Sequence, residues 1–160
     1  MTVLGGTVAT VTHTLINAND GSISVANGST RVISYTGLEP ITDNLNATDR
    51  VFTFTGGAET ITLTDAAGAN MTIDSTLGES ITFANPTNSL TINAGSGDDT
   101  ITLSSFDAAF NASLSVNGDA ATDTINVNAG LALTGTKAIA LNAETINVAA
   151  VTVKIGRAHV

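Results

Sequence analysis

Cysteine and tryptophan are absent from this 160-residue chain, and proline occurs only twice. Without cysteine there is no disulfide framework and no thiolate metal site, and the redox compartment is left open. Aromatic residues reach 4 % and charged residues 12 %, the latter about half the ordinary share. Basic groups are scarcest, five against 14 acidic, for a formal net charge of −9. A nucleic-acid backbone or an anionic membrane would be repelled across most of such a surface. No apolar run is long enough to cross a bilayer as a helix, and the opening Met1-Thr2-Val3-Leu4-Gly5-Gly6 carries neither the basic nor the unbroken apolar region of a signal peptide.

What fills the space is small and hydroxyl- or amide-bearing: 27 Thr, 15 Asn and 12 Ser, a third of the chain. These residues favour strands and turns over helices, so a helical bundle or coiled coil is excluded. Apolar residues make up 42 %, and the length suits one folded unit with a continuous core.

A five-residue pattern recurs: an acid, Thr or Ser, Ile, Thr or Asn, and a large apolar residue. Its copies are Glu59-Thr60-Ile61-Thr62-Leu63, Glu79-Ser80-Ile81-Thr82-Phe83, Asp99-Thr100-Ile101-Thr102-Leu103, Asp123-Thr124-Ile125-Asn126-Val127 and Glu144-Thr145-Ile146-Asn147-Val148. Successive copies thus begin at 59, 79, 99, 123 and 144, a nearly constant interval. Between them runs a second pattern, apolar-x-apolar-Asn/Asp, at Met71–Asp74, Leu90–Asn93, Leu114–Asn117 and Ile139–Asn142. Strict alternation over four or five residues is a half-buried strand. Such short strands bury their apolar stripe only by stacking on their neighbours. The expected fold is therefore all-β, a parallel β-helix (β-solenoid) of about five coils of about 20–24 residues over 51–153, about 20–25 Å long at ordinary strand spacing. Residues 1–50 form an irregular cap or first coils, with Asn27-Gly28 as a hairpin signal and a break at Gly37-Leu38-Glu39-Pro40. An antiparallel sandwich is the rival, but needs no in-register repeat.

In this arrangement Ile61, Ile81, Ile101, Ile125 and Ile146 form one inward ladder, flanked by Leu63, Phe83, Leu103, Val127 and Val148, with the threonines facing water. The repeated acids Glu59, Glu79, Asp99, Asp123 and Glu144 stack along a solvated edge that discourages sideways aggregation. Asn93, Asn117, Asn128 and Asn142 turn corners in the left-handed conformation. Phe106 and Phe110, four apart in Ser105–Phe110, suggest one helical turn closing over the core. His13 reads as a surface residue on an irregular strand.

At the C-terminus the texture breaks. Ile155-Gly156-Arg157-Ala158-His159-Val160 back-translates as ATC GGA AGA GCA CAC GTC, which resembles read-through of a common sequencing adapter, so 154–160 is read as an artefactual tail. The chain is then expected to be a piece of a longer protein whose further coils follow and whose export signal lies elsewhere.

Ala94-Gly95-Ser96-Gly97-Asp98-Asp99-Thr100-Ile101-Thr102 resembles the calcium-binding nonapeptide of RTX proteins, with Ala94 in place of the first glycine. The resemblance implies a Ca2+ site in which Gly95 and Gly97 let the backbone turn while Asp98 and Asp99 supply oxygens. Ions in that family are shared between successive nonapeptides, whereas the next acid in phase here, Asp123, comes only a whole coil later. Paired Thr60/Thr62 and Thr100/Thr102 resemble the threonine arrays of ice-binding solenoids, interrupted by Ser80, Asn126 and Asn147. Polysaccharide lyases share the β-helix, but outside the tail the chain offers only Arg31, Arg50 and Lys137 as cations, and no catalytic constellation or other cofactor site is legible.

Taken together, the repeats, acidity and Thr/Asn/Gly/Ala texture of residues 50–153 resemble the large repetitive exported proteins of bacteria, haemagglutinin-like adhesins and RTX-type proteins. The resemblance implies an extracellular or cell-surface location and a structural or adhesive role as a rigid spacer or stalk, without enzymatic activity. The implied partners are further coils of the parent chain and cell-surface or matrix glycans or proteins, not nucleic acid or a membrane interior.

Overall fold

Alternating apolar and hydroxyl-bearing residues become strands almost wherever they occur. The computed structural model describes residues 1–37 and 40–155 and is all-β. In chain order the strands are β1 (Thr2–Val3), β2 (Thr7–Leu15), β3 (Asp20–Ala26), β4 (Thr30–Thr36), β5 (Ile41–Asp43), β6 (Asn46–Phe54), β7 (Thr60–Ala66), β8 (Asn70–Ser75) and β9 (Ile81–Ala84). They continue as β10 (Ser89–Asn93), β11 (Thr100–Leu103), β12 (Ser113–Asn117), β13 (Thr124–Val127), β14 (Leu131–Leu133), β15 (Ile139–Asn142), β16 (Thr145–Val148) and β17 (Val153–Ile155).

One sheet has the order β1-β5-β9-β8-β7-β11-β13-β16 and a second β15-β12-β10-β6-β2-β3-β4, with β14 and β17 pairing separately. Pairing among the described residues is parallel except at β2–β3, β3–β4, β7–β8 and β8–β9. Inward residues of both sheets, among them Val11, Phe52, Phe83, Ile92, Ile101, Val116 and Ile125, form one buried cluster. Each such side chain contributes about 1.5–3 kcal/mol on burial, which no isolated short strand could gather for itself.

The spacing of stacked neighbours departs from the motif interval. Ile41 pairs with Ile81, Arg50 with Leu90 and Thr60 with Thr100, each across twice that interval. Farther along, Ile101 pairs with Ile125 and Ile125 with Ile146, across a single interval. The reason lies in Met71–Asp74. Instead of joining β10, β12 and β15, this stretch folds back on β7 as the second arm of a hairpin, so that one interval is spent going out and returning within one sheet. The expected isoleucine ladder is therefore corrected. Ile61, Ile101, Ile125 and Ile146 do lie in register, but Ile81 sits between Ile41 and Ile73, and Phe83 between Asp43 and Met71.

Near the N-terminus, Asn27-Gly28 makes the expected turn between β3 and β4. Gly28 has φ +77°, a conformation that glycine adopts without steric cost. Two local expectations fail. Ser105–Phe110 contains a turn closed by Phe110 N–H on Asp107 O rather than a helical turn, although the Phe106 and Phe110 rings do meet, 5.4 Å apart. The four asparagines are not left-handed either. Positive φ falls instead on Asp119 and Ala121 among the non-glycine residues described, while Asn117 Nδ2 donates to Asn93 Oδ1 at 2.8 Å as a rung between strands. Of the terminal segment, Lys154 and Ile155 pair with Ala132 and Leu133. Residues 156–160, and Leu38 and Glu39 of the predicted break, lie outside the described residues.

Candidate functional site

The GSGDD stretch occupies a corner where three passes of the chain lie against one another. Gly97 N–H donates to Ala120 O at 3.3 Å and Ala120 N–H to Gly95 O at 3.1 Å on one side. On the other, Ser96 Oγ donates to Gly56 O at 3.2 Å. Both glycines have positive φ, and a Cβ on either would overlap backbone of the adjacent pass, Phe54 O for Gly95 and Ala58 N for Gly97. The requirement for glycine here is thus met by chain packing alone.

Asp98 and Asp99 part company at this corner. Asp98 is exposed and its Oδ1 accepts the Thr122 N–H at 3.0 Å. Asp99 is buried, with Oδ1 accepting the Glu59 N–H at 2.8 Å. Its N–H donates to Asp123 Oδ1 at 2.9 Å, and the Asp123 N–H donates to Glu144 Oε2 at 2.8 Å. The acids are therefore not a solvated edge: Glu59, Asp99 and Asp123 are buried, and Asp99, Asp123 and Glu144 form a relay in which each carboxylate closes the strand start of the preceding layer. Glu79, also buried, precedes β9 and stands outside this register. Burial raises the Asp99 carboxyl above its ordinary range against the hydrogen bond from Glu59, and the charges of Asp123, Asp98 and Asp119 push the same way. Burial also raises Glu59, opposed by a hydrogen bond from Ser75 and reinforced by Asp99.

Asp99 Oδ2 is buried without a hydrogen-bond partner. Among the described residues no three His, Asp or Glu side chains are grouped to hold a metal ion. A carboxyl raised by folding stabilises the fold below its unfolded pKa, and that contribution is lost as pH rises through its folded value. Asp99→Asn keeps the acceptor for Glu59 and removes the charge. It is expected to raise the melting temperature at pH 7 and to leave it unchanged at pH 3. Thermal melts at the two pH values check this.

The chain matches no family model, no curated protein and no solved structure.

A second polar group lies in the interior and was not anticipated. His13 on β2 and Arg50 on β6 reach from one sheet to Asp43 on β5 of the other, and none of the three has exposed surface. His13 Nε2 lies 2.9 Å from Asp43 Oδ2, which Arg50 also meets in an ion pair. Arg50 further donates to Leu45 O and, from Nε, to Ala84 O at 2.9 Å, while Leu45 N–H donates to Asp43 Oδ1. The His13 ring stacks on Phe52 at 5.1 Å. This corrects the reading of His13 as a surface residue. Burial would raise the Asp43 carboxyl, but the hydrogen bonds from His13 and Arg50, the guanidinium charge and the Leu45 N–H outweigh it and bring it to about 2. Burial lowers His13 against the pull of Asp43, and Nε2, the ring atom facing the carboxylate, is assigned the proton of that bond. Sealed from solvent, the group can brace two sheets but cannot meet a substrate.

The outer face of the first sheet carries a row that counting along the sequence missed. Thr2, Thr42, Thr82, Thr72 and Thr64 are successive partners across five strands, and Thr60, Thr100, Thr124 and Thr145 form a second row. Thr72 Oγ1 and Thr82 Oγ1 are hydrogen-bonded at 2.9 Å. The β7–β8 hairpin extends the first row by Thr72 and Thr64.

Proposed function

We propose that this chain is a structural or adhesive segment of a large, repetitive bacterial surface or secreted protein, a rigid β-solenoid spacer whose regular coils run from β11 onward. The observation that carries the reading is the in-register parallel ladder Ile61–Ile101–Ile125–Ile146 with the carboxylate relay at its side. Layers joined by both an apolar ladder and a relay of hydrogen bonds transmit load along their stacking axis. The His13–Asp43–Arg50 group is closed to solvent, which supports a role other than catalysis. The outward hydroxyl and amide rows suit contact with glycans or matrix proteins, and an extracellular or cell-surface location follows from the same class resemblance.

Hydrogen exchange tests the spacer. Amides of β7, β11 and β13 are expected to exchange slowly and together, and rapid, unrelated exchange in these strands would overturn it. A second reading, the calcium-binding RTX-like module, is favoured by the unpaired Asp99 Oδ2 beside Asp98. A melting temperature that is the same in calcium and in a chelator supports the spacer alone, whereas a rise with calcium supports the module.

A further inference from the structure

The two ends of the layered core differ in finish. At the N-terminal side of the second sheet the β3–β4 hairpin covers β2. At the other end, β15, β16 and β17 have no strand beyond them among the described residues. Ile146 and Val148, which continue the inward ladders, are 43 % and 59 % exposed, and Val153 and Ile155 on β17 are also exposed. Behind them opens a cavity of about 250 Å³ lined wholly by apolar residues, including Leu103, Leu114, Val127, Leu141 and Val148.

A carboxylate relay and an asparagine rung, each with a fixed direction, end at the same face. In the carboxylate relay the earlier layer's N–H donates to the later layer's acid, and the last member is Glu144. Among the described residues no carboxylate takes the Glu144 N–H. An asparagine rung in each sheet has the later residue donating to the earlier, Asn117 to Asn93 between β10 and β12 and Asn147 to Asn126 at 3.0 Å between β13 and β16.

We infer that this end face is a docking surface for one further coil of the same repeat, whose strand lies parallel to β16 and carries an acid opposite Glu144, apolar residues opposite Ile146 and Val148, and Asn opposite Asn147. The inference rests on the spacer reading and deepens it by specifying the occupant residue by residue. Continuity with the β13–β16 interface argues for a parallel strand, and the carboxylate relay and the Asn126–Asn147 rung argue for an acid and an amide at fixed positions. A second copy of this chain offers no such strand: its own β16 could meet this edge only head to head, and its β1 carries no acid.

The test uses the full chain with a second copy of residues 134–148 inserted between Ile155 and Gly156. Because Ile155 already pairs as the partner of Leu133, the copied segment starts in phase, with its acid falling over Glu144. The melting temperature is expected to rise by about 5 °C or more, as an added nearest-neighbour interface should, and the copied strand amides should become protected from exchange. Placing Ala at the copied Glu and Asn should remove more than half of the gain. An unchanged melting temperature with unprotected copied residues, while β11 and β13 stay protected, overturns the inference and leaves the spacer standing. An Ala variant that keeps the full gain overturns the polar specification. Unprotected β11 and β13 in the parent chain overturn both readings.

Discussion

Arg50→Met is expected to cost about 3–5 kcal/mol, the penalty typical of breaking a buried ion pair by removing one partner, and to lower the melting temperature by about 10 °C. Methionine fills much of the volume and keeps contact with Phe83, so the loss falls on charge and hydrogen bonding. Asp43 would keep a carboxylate between the sheets with only His13 and the Leu45 N–H beside it, and Leu45 O and Ala84 O would lose a donor. The pH dependence has a definite sign. Asp43 is held at about 2, so its contribution is complete above the ordinary carboxylate range and is lost as pH falls toward 2. His13, held low by burial, acts in the same direction, with its contribution complete above about 6.5 and declining below. Acid melts of the parent should therefore show a decline that is shallower in Arg50→Met, since Asp43 would no longer be held low. A variant as stable as the parent at pH 7 would show that the group braces nothing.

Gly97→Ala should be nearly as costly, for a different reason. At φ +115° an L side chain is strained, by about 1–3 kcal/mol. The new methyl would also overlap the backbone of Gly57 and Ala58, which cannot rotate aside as a side chain could. Overpacking of that kind adds about 1–3 kcal/mol, for an expected fall of about 10 °C in melting temperature. Calcium distinguishes the two reasons for glycine: if Gly97 serves packing, the fall is the same in calcium and in a chelator. A variant that melts with the parent would mean that the corner is looser than its hydrogen bonds to Ala120 and Gly56 imply.

Much of the strand content was legible because alternation survives wherever one face is buried. The ladder from Ile61 through Ile101 and Ile125 to Ile146, and the stacking of Leu90 and Ile92 on Leu114 and Val116, follow directly from the repeated pattern. What alternation does not encode is direction. Met71-Thr72-Ile73-Asp74 reads the same whether it continues a stack or folds back, and the turn Ala67–Ala69 that reverses it is no different in composition from other loops. The acids were legible as a series but not as buried groups, since the N–H donors that make burial tolerable come from strand starts far along the chain. His13, Asp43 and Arg50 did leave a signal. Each shares inward parity with its apolar neighbours, His13 between Val11 and Leu15, Asp43 two after Ile41, and Arg50 two before Phe52. A polar residue in that parity, on three different strands, is a mark of an interior cluster that composition alone conceals.

The out-and-back excursion of β7 and β8 gives the gene two kinds of modularity. From β11 onward, loss or gain of a single repeat interval would leave the surviving strands able to pair with one another, so unequal recombination there should alter length without harming the remainder. Between β5 and β11 the interchangeable unit is twice as long, and excising half of it would strip one arm from the hairpin and expose the other. Length variation is therefore expected to gather on the C-terminal side of Thr100, with everything before it inherited as a block.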